Sequence, residues 1–219
     1  MTQHQNNRLS IRYLALIIGL GLNALGNGIT IASNTGSAVY TAASVDLFKL
    51  TGWLSISYFI FGWGLLNDVI NMFLLKKMEW WRFIKGLIYI TFFSYFVDVF
   101  SKIAVWLGLS AQGFWFRTLF SLIGTILIGI SISIYQRANL FLHPNDDMTN
   151  ILRFDYFKGS AVWAQFVDLL LPVSAILWSW LVLGHLYAVS IATVCYFLFN
   201  GLVIKYTDRW IWPSLKHNF

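Results

Sequence analysis

The chain has 219 residues and a net charge of +6, with 58% hydrophobic and only 11% charged residues. A soluble domain carries about 25% charged residues, so the composition excludes an ordinary water-soluble domain. It also excludes a nucleic-acid binder, because no basic, aromatic-interleaved soluble segment is present.

Six apolar stretches follow one another, at about 11–32, 53–75, 84–107, 116–136, 161–183 and 187–205. Each can cross a hydrocarbon core of roughly 30 Å, which takes about 20 apolar residues. The first is too long for a signal-peptide core and lacks a clear cleavage site, so it reads as a retained span. The sequence therefore predicts an all-α membrane protein of six transmembrane helices in one domain over 1–219.

The basic residues set the expected orientation. Arg8, Arg12, Lys76, Lys77, Arg82, Lys85, Arg137, Arg153, Lys158, Lys205, Arg209 and Lys216 fall on one side, and only Lys49, Lys102 and Arg117 on the other. The positive-inside rule puts the richer side, with both termini, in the cytoplasm. Trp53, Trp80, Trp81, Trp106, Trp115, Trp210 and Trp212 lie at span ends, where an interfacial aromatic belt is expected. Cys195 is the single cysteine, so there is no intrachain disulfide and no metal-ligand cluster.

Two interspan segments, 33–51 and 137–160, are too short and polar to cross. Each follows a glycine-bearing span. Ala32-Ser33-Asn34 aligns with Arg137-Ala138-Asn139 at a spacing of 105, and Gly19 then falls on Gly124. Three spans per half is an odd number, so a duplicated second half enters the membrane upside down. The expectation is a 3+3 inverted repeat, about 11–107 and 116–205, with a site near the midplane between halves. Each interspan segment is then either a short re-entrant helix covered by protein or an amphipathic helix on the membrane surface.

The second segment carries Asn139-Leu140 and then Pro144-Asn145-Asp146; the first carries Asn34-Thr35-Gly36; the third span ends in Phe96-Val97-Asp98-Val99-Phe100. In these runs the chain resembles the YczE/YyaS/YitT-like group of bacterial integral membrane proteins. That group has an Asn-Leu-Gly-x-Gly-Pro-x-Asp run after the first span and a related run after the fourth. Here Phe141 and His143 replace the two glycines, and Val39-Tyr40-Thr41 replaces Pro-x-Asp in the first copy. The resemblance implies a bacterial inner-membrane protein with a transport-like role, and it marks Asp98 and Asp168 as positions of interest.

Ionisable residues within spans are costly and usually face a cavity or another polar group. Asp68, Asp98 and Asp168 are the three carboxylates so placed. Gly64, Asp68 and Asn71 share a helix face, which suits either ligand coordination or interhelical hydrogen bonding. Asp98 and Lys102 have ion-pair spacing. Pro172 removes the helical donor to the Asp168 carbonyl, leaving an acceptor beside a carboxylate. Asn23 and Asn27, with Gly19, Gly21, Gly26 and Gly28, form either a close-packing stripe or a cavity wall, and Gly26-Asn27-Gly28 offers a point of local unwinding. Asp146, Asp147, Arg137 and His143 form either a cytoplasmic gate or a solvated cluster.

The expected substrate-binding set is Asn23, Asn27, Asp68, Asn71, Asp98, Asp146 and Asp168. No enzyme motif and no cofactor are expected. Two functions stay open. One is a small-molecule transporter or solute-binding protein, including the substrate-binding subunit of an energy-coupling-factor importer, for which Ala24-xxx-Gly28 echoes a partner-docking motif. The other is a non-transporting scaffold or assembly partner. Expected partners are membrane lipids, a small molecule of unknown identity, and either another membrane protein or a second copy of this chain.

Overall fold

The computed structural model describes residues 7–218, and these are helical, with no strand among them. The helices are α1 (Leu9–Ser33), α2 (Val39–Thr51), α3 (Ile56–Leu75), α4 (Trp80–Trp106), α5 (Phe114–Ala138), α6 (Pro144–Ile151), α7 (Ala161–Leu183) and α8 (Ile191–Trp210). A short 3-10 turn (Leu109–Ala111) precedes α5, and a π-helical turn (Leu152–Tyr156) extends α6. Among the described residues, five helices are long and apolar enough to cross a membrane, α1, α3, α4, α5 and most of α7. The protein is thus a multi-pass membrane protein. The expected sixth span is a 20-residue helix but is not in that group; it carries Asn200, Lys205, Asp208 and Arg209. It also begins four residues late. Asp46 of α2 accepts hydrogen bonds from the backbone of Tyr187 (3.0 Å) and Ala188 (3.3 Å), which holds that stretch outside the helix until Ser190 caps α8.

The centre of the molecule is the pair α1 and α5. Glycines let these two helices approach closely. A Cβ on Gly26 would stand 2.6 Å from the Gly124 carbonyl oxygen, and one on Gly124 would stand 2.7 Å from that of Gly26. Gly19 lies in the same way against Tyr135 and Ser131. On the other flank, Gly28 meets Phe100 and Ser101 of α4. α1 stays helical through Gly26-Asn27-Gly28, so the local unwinding anticipated there does not occur. Packing supports these glycines on both sides, and the backbone bonds persist.

Three pairs of helices begin 105 residues apart, at Leu9 and Phe114, Val39 and Pro144, and Ile56 and Ala161, whereas α4 and α8 begin 111 apart, at Trp80 and Ile191. α1 and α5 both end in a left-handed asparagine, Asn34 (φ 50°) and Asn139 (φ 47°). Asparagine tolerates this conformation, which closes a helix by exposing its last carbonyls to new donors. Those donors are arginines from the partner helix. Packing repeats too: α1 lies on α4 as α5 lies on α8, and α2 lies on α7 as α6 lies on α3. One pair breaks the pattern. α3 packs on α4, whereas α7 and α8 have no comparable interface among the described residues.

Neither interspan helix is a free surface element. Seven successive or near-successive α2 residues are buried, from Val39 to Asp46 with Tyr40 half-buried, and they pack between α3 and α7. α6 is held against α3 by Asn67 and Asn71. Asn71 donates to the Pro144 carbonyl at 3.0 Å, and Asn67 donates to the Asn145 side chain.

Candidate functional site

The first turns of α2 and α6 meet at a partly enclosed cavity of about 220 Å³ whose wall mixes polar and apolar side chains. α1 contributes Asn23 and Asn27 to its wall, α7 contributes Gln165 and Asp168, and α8 contributes Tyr196 and Asn200. Residues from both halves of the chain therefore share one space.

A hydrogen-bonded chain holds the α1 side. Thr41 donates to Asn27 Oδ1 at 2.5 Å, Asn27 donates to Asn23 Oδ1 at 2.9 Å, and Asn23 donates to the Tyr89 hydroxyl at 3.5 Å. The asparagines thus wall a cavity and also tie α1 to α2 and α4.

Tyr40 governs the Asp168 side. Its hydroxyl lies 2.8 Å from Asp168 Oδ1 and 3.0 Å from the Asp168 carbonyl oxygen. That carbonyl is the acceptor freed by Pro172, so a phenol from the other half has replaced the missing helical donor. Tyr40 also stands edge-on to Trp63, with ring centroids 5.7 Å apart.

On the α6 side, the Tyr135 hydroxyl donates to Asp146 Oδ2. Burial pushes the Asp146 carboxyl up to about 6; the Tyr135 bond works against this and the neighbouring Asp147 adds to it. His143 caps α6 by accepting the Asn145 backbone N–H at its Nδ1, 3.2 Å away. Burial lowers its pKa to about 3, so the imidazole is neutral. No lysine or arginine is among the lining residues.

The structure brings together four of the seven anticipated site residues, Asn23, Asn27, Asp146 and Asp168. Asp68 and Asn71 lie apart, in the seam between α3, α4 and α6. Asp68 is 2% exposed, sits over Gly86, and its Oδ2 lacks a hydrogen-bond partner among the described residues. Asp98 forms the ion pair with Lys102 that its spacing suggested, at 2.7 Å, and borders a small separate recess of about 160 Å³.

The cluster anticipated as a gate is dispersed. Arg137 is 1% exposed and turns to the C-terminal segment, donating to the carbonyls of Ile211 (2.9 Å), Trp212 (3.1 Å) and Leu215 (3.0 Å). Asp147 forms a two-pronged pair with Arg82, each contact 2.6 Å. Ala24 and Gly28, the docking echo, are buried inside the chain. Sequence reasoning missed Tyr40, Trp63, Tyr196 and Asn200. The only signal for Tyr40 was its place where the resembled group keeps a conserved run.

A family model described as a family of unknown function, DUF6198, matches residues 10–209. The chain belongs to that family. No curated protein and no solved structure matches it.

Proposed function

For this member of DUF6198 we propose a small-molecule transporter or solute-binding protein of the bacterial cytoplasmic membrane, with both termini in the cytoplasm. Its ligand site is the cavity between α2 and α6. One observation carries the reading: a cavity within a lipid-adapted bundle, its otherwise largely apolar wall bearing carboxylates from two elements and amide side chains from both halves. A protein serving only as a scaffold gains nothing from a void that its own side chains do not fill, since close packing is the default interior.

The two halves are read as an inverted 3+3 repeat. The 105-residue interval between three of the four pairs of helix starts supports this, as do the matched asparagine ends and the repeated packing pairs. α2 and α6 are read as re-entrant helices rather than surface helices, supported by the burial of α2 between α3 and α7. The resemblance to the YczE/YyaS/YitT-like group accords with a transport-like role. Alternating access follows from the one broken pair. α3 closes on α4 while α7 stands off α8, and α7 and α8 supply Gln165, Asp168, Asn200 and Gly201 to the cavity wall. On this reading the arrangement is the state open on the α7–α8 side, and the opposite state would close α7 on α8 and part α3 from α4.

The test is a thermal-shift screen of purified protein against a metabolite library. A ligand of the folded state raises apparent stability by mass action. The site is right if a hit loses its effect in Asp168→Asn and keeps it in Asp68→Asn. It is wrong if both variants bind like the parent chain.

A further inference from the structure

The charge balance of the cavity narrows the ligand class. Asp146 and Asp168 both line it, and no lysine or arginine does. Of the cations on neighbouring elements, Arg82 is committed to Asp147, and Arg137 to Asp208 and backbone carbonyls. Among the described residues that line the cavity, positive potential comes from the first turns of α2 and α6. A helix N-terminus is worth roughly half an elementary charge. Two of them offset about one of the two carboxylates, so the ionised cavity is short of about one positive charge.

The remaining wall suits a particular kind of cation. Rings of Tyr40, Trp63 and Tyr196 border the space, and aromatic faces attract cations, most strongly where water is excluded. Asn200 also borders the space; its Oδ1 is buried against Gly129 of α5 without a hydrogen-bond partner among the described residues. A cavity of about 220 Å³ is far larger than a bare metal ion needs and smaller than a drug-sized pocket of ~300 Å³ or more.

We propose that the cavity takes a small organic monocation, an amine or quaternary ammonium compound, with Asp168 and Asp146 as its counter-charges and Tyr40, Trp63 and Tyr196 as its aromatic wall. This rests on the reading of the cavity as a ligand site.

The full chain in detergent is titrated with tetramethylammonium and ethylammonium. tert-Butanol, ethanol, sodium and acetate are run beside them at constant ionic strength. Melting temperature and calorimetric heat are the readouts. The ammonium probes should stabilise the protein, and Asp168→Asn should weaken them by about tenfold or more. Asn200→Ala, a milder change, should weaken them as well if Asp168→Asn fails to fold. Equal stabilisation by the alcohols or by acetate overturns the charge assignment. Stabilisation by sodium alone overturns the organic cation. If the ammonium probes do nothing but the metabolite screen yields a neutral or anionic ligand sensitive to Asp168→Asn, the class is wrong and the site stands. If neither set yields a ligand, both fall.

Discussion

Arg12 and Arg117 perform the same task at opposite ends of the central helix pair. Arg12 on α1 donates to the carbonyls of Ala138 and Asn139, at 2.8 and 2.7 Å, where α5 ends. Arg117 on α5 donates to the carbonyl of Ser33, at 3.3 Å, where α1 ends. Each helix supplies the cation that the other's carbonyl end favours. Removing either should fray the end it caps. Arg12→Ala is expected to raise backbone hydrogen exchange at residues 136–140, and Arg117→Ala at 31–35. Identical exchange in parent and variants would refute the shared role.

The α1–α5 contact tolerates no side chain at its glycines. Gly26→Ala places a methyl 2.6 Å from a carbonyl oxygen and should cost about 1–3 kcal/mol through overpacking. Gly21 has nothing within 4 Å of its Cβ position, so Gly21→Ala should leave stability unchanged or raise it slightly. Melting temperatures of the two variants check the contrast.

Asp68 and Asp168 should separate in function. Both are buried carboxylates on apolar helices, yet only Asp168 borders the cavity. Asp168→Asn is expected to abolish ligand binding and uptake in proteoliposomes while the protein still folds. Asp68→Asn should preserve uptake and shift only thermal stability. Loss of uptake in Asp68→Asn with normal melting would move the site to the α3–α4–α6 seam.

Arg82 and Asp147 fasten α6 to α4. Asp147 is 5% exposed, while the Arg82 side chain is 36% exposed. Arg82→Ala leaves a nearly buried carboxylate without its donors, at about 1–3 kcal/mol. Asp147→Asn on top of Arg82→Ala should recover part of that loss. A double-mutant cycle of melting temperatures measures the coupling.

Stability should fall as pH rises through the range in which Asp146 ionises. Its folded value, about 6, lies above the ordinary 3.8, so the folded state binds that proton more tightly than the unfolded chain does. The contribution is fully present below about pH 4 and lost by about pH 6 and above. Tyr135 and Tyr89 face this carboxyl from α5 and α4, Tyr40 from α2, Asp168 from α7 and Tyr196 from α8, with Asp147 on its own helix. Asp146→Asn should therefore remove the melting-temperature difference between pH 4.5 and 7.5 that this group causes.

Much of the fold was legible because length and apolarity fix a helix in lipid. The stretch at 161–183 coincides with α7, and the Asn34–Asn139 match marks two real helix ends. The start of α8 was not legible, because Asp46, 141 positions away from Tyr187, decides it. The site was half legible. Asp168 announced itself as a charge beside a proline. Tyr40 did not, since one aromatic residue in an apolar chain carries no periodic signal. Arg137 misled for a related reason: besides Asp208 at 3.5 Å, most of its acceptors are backbone carbonyls of the C-terminal segment, and side-chain identity cannot announce those.

The hydrogen bond from the Tyr40 hydroxyl to the Asp168 carbonyl has a mechanical corollary. A helix normally bends only by stretching its own ladder. At this turn of α7 the rung is already missing, and an external latch on α2 has taken its place. Swinging the lower part of α7 toward or away from α8 then requires one phenol to release, and nothing within α7 has to break.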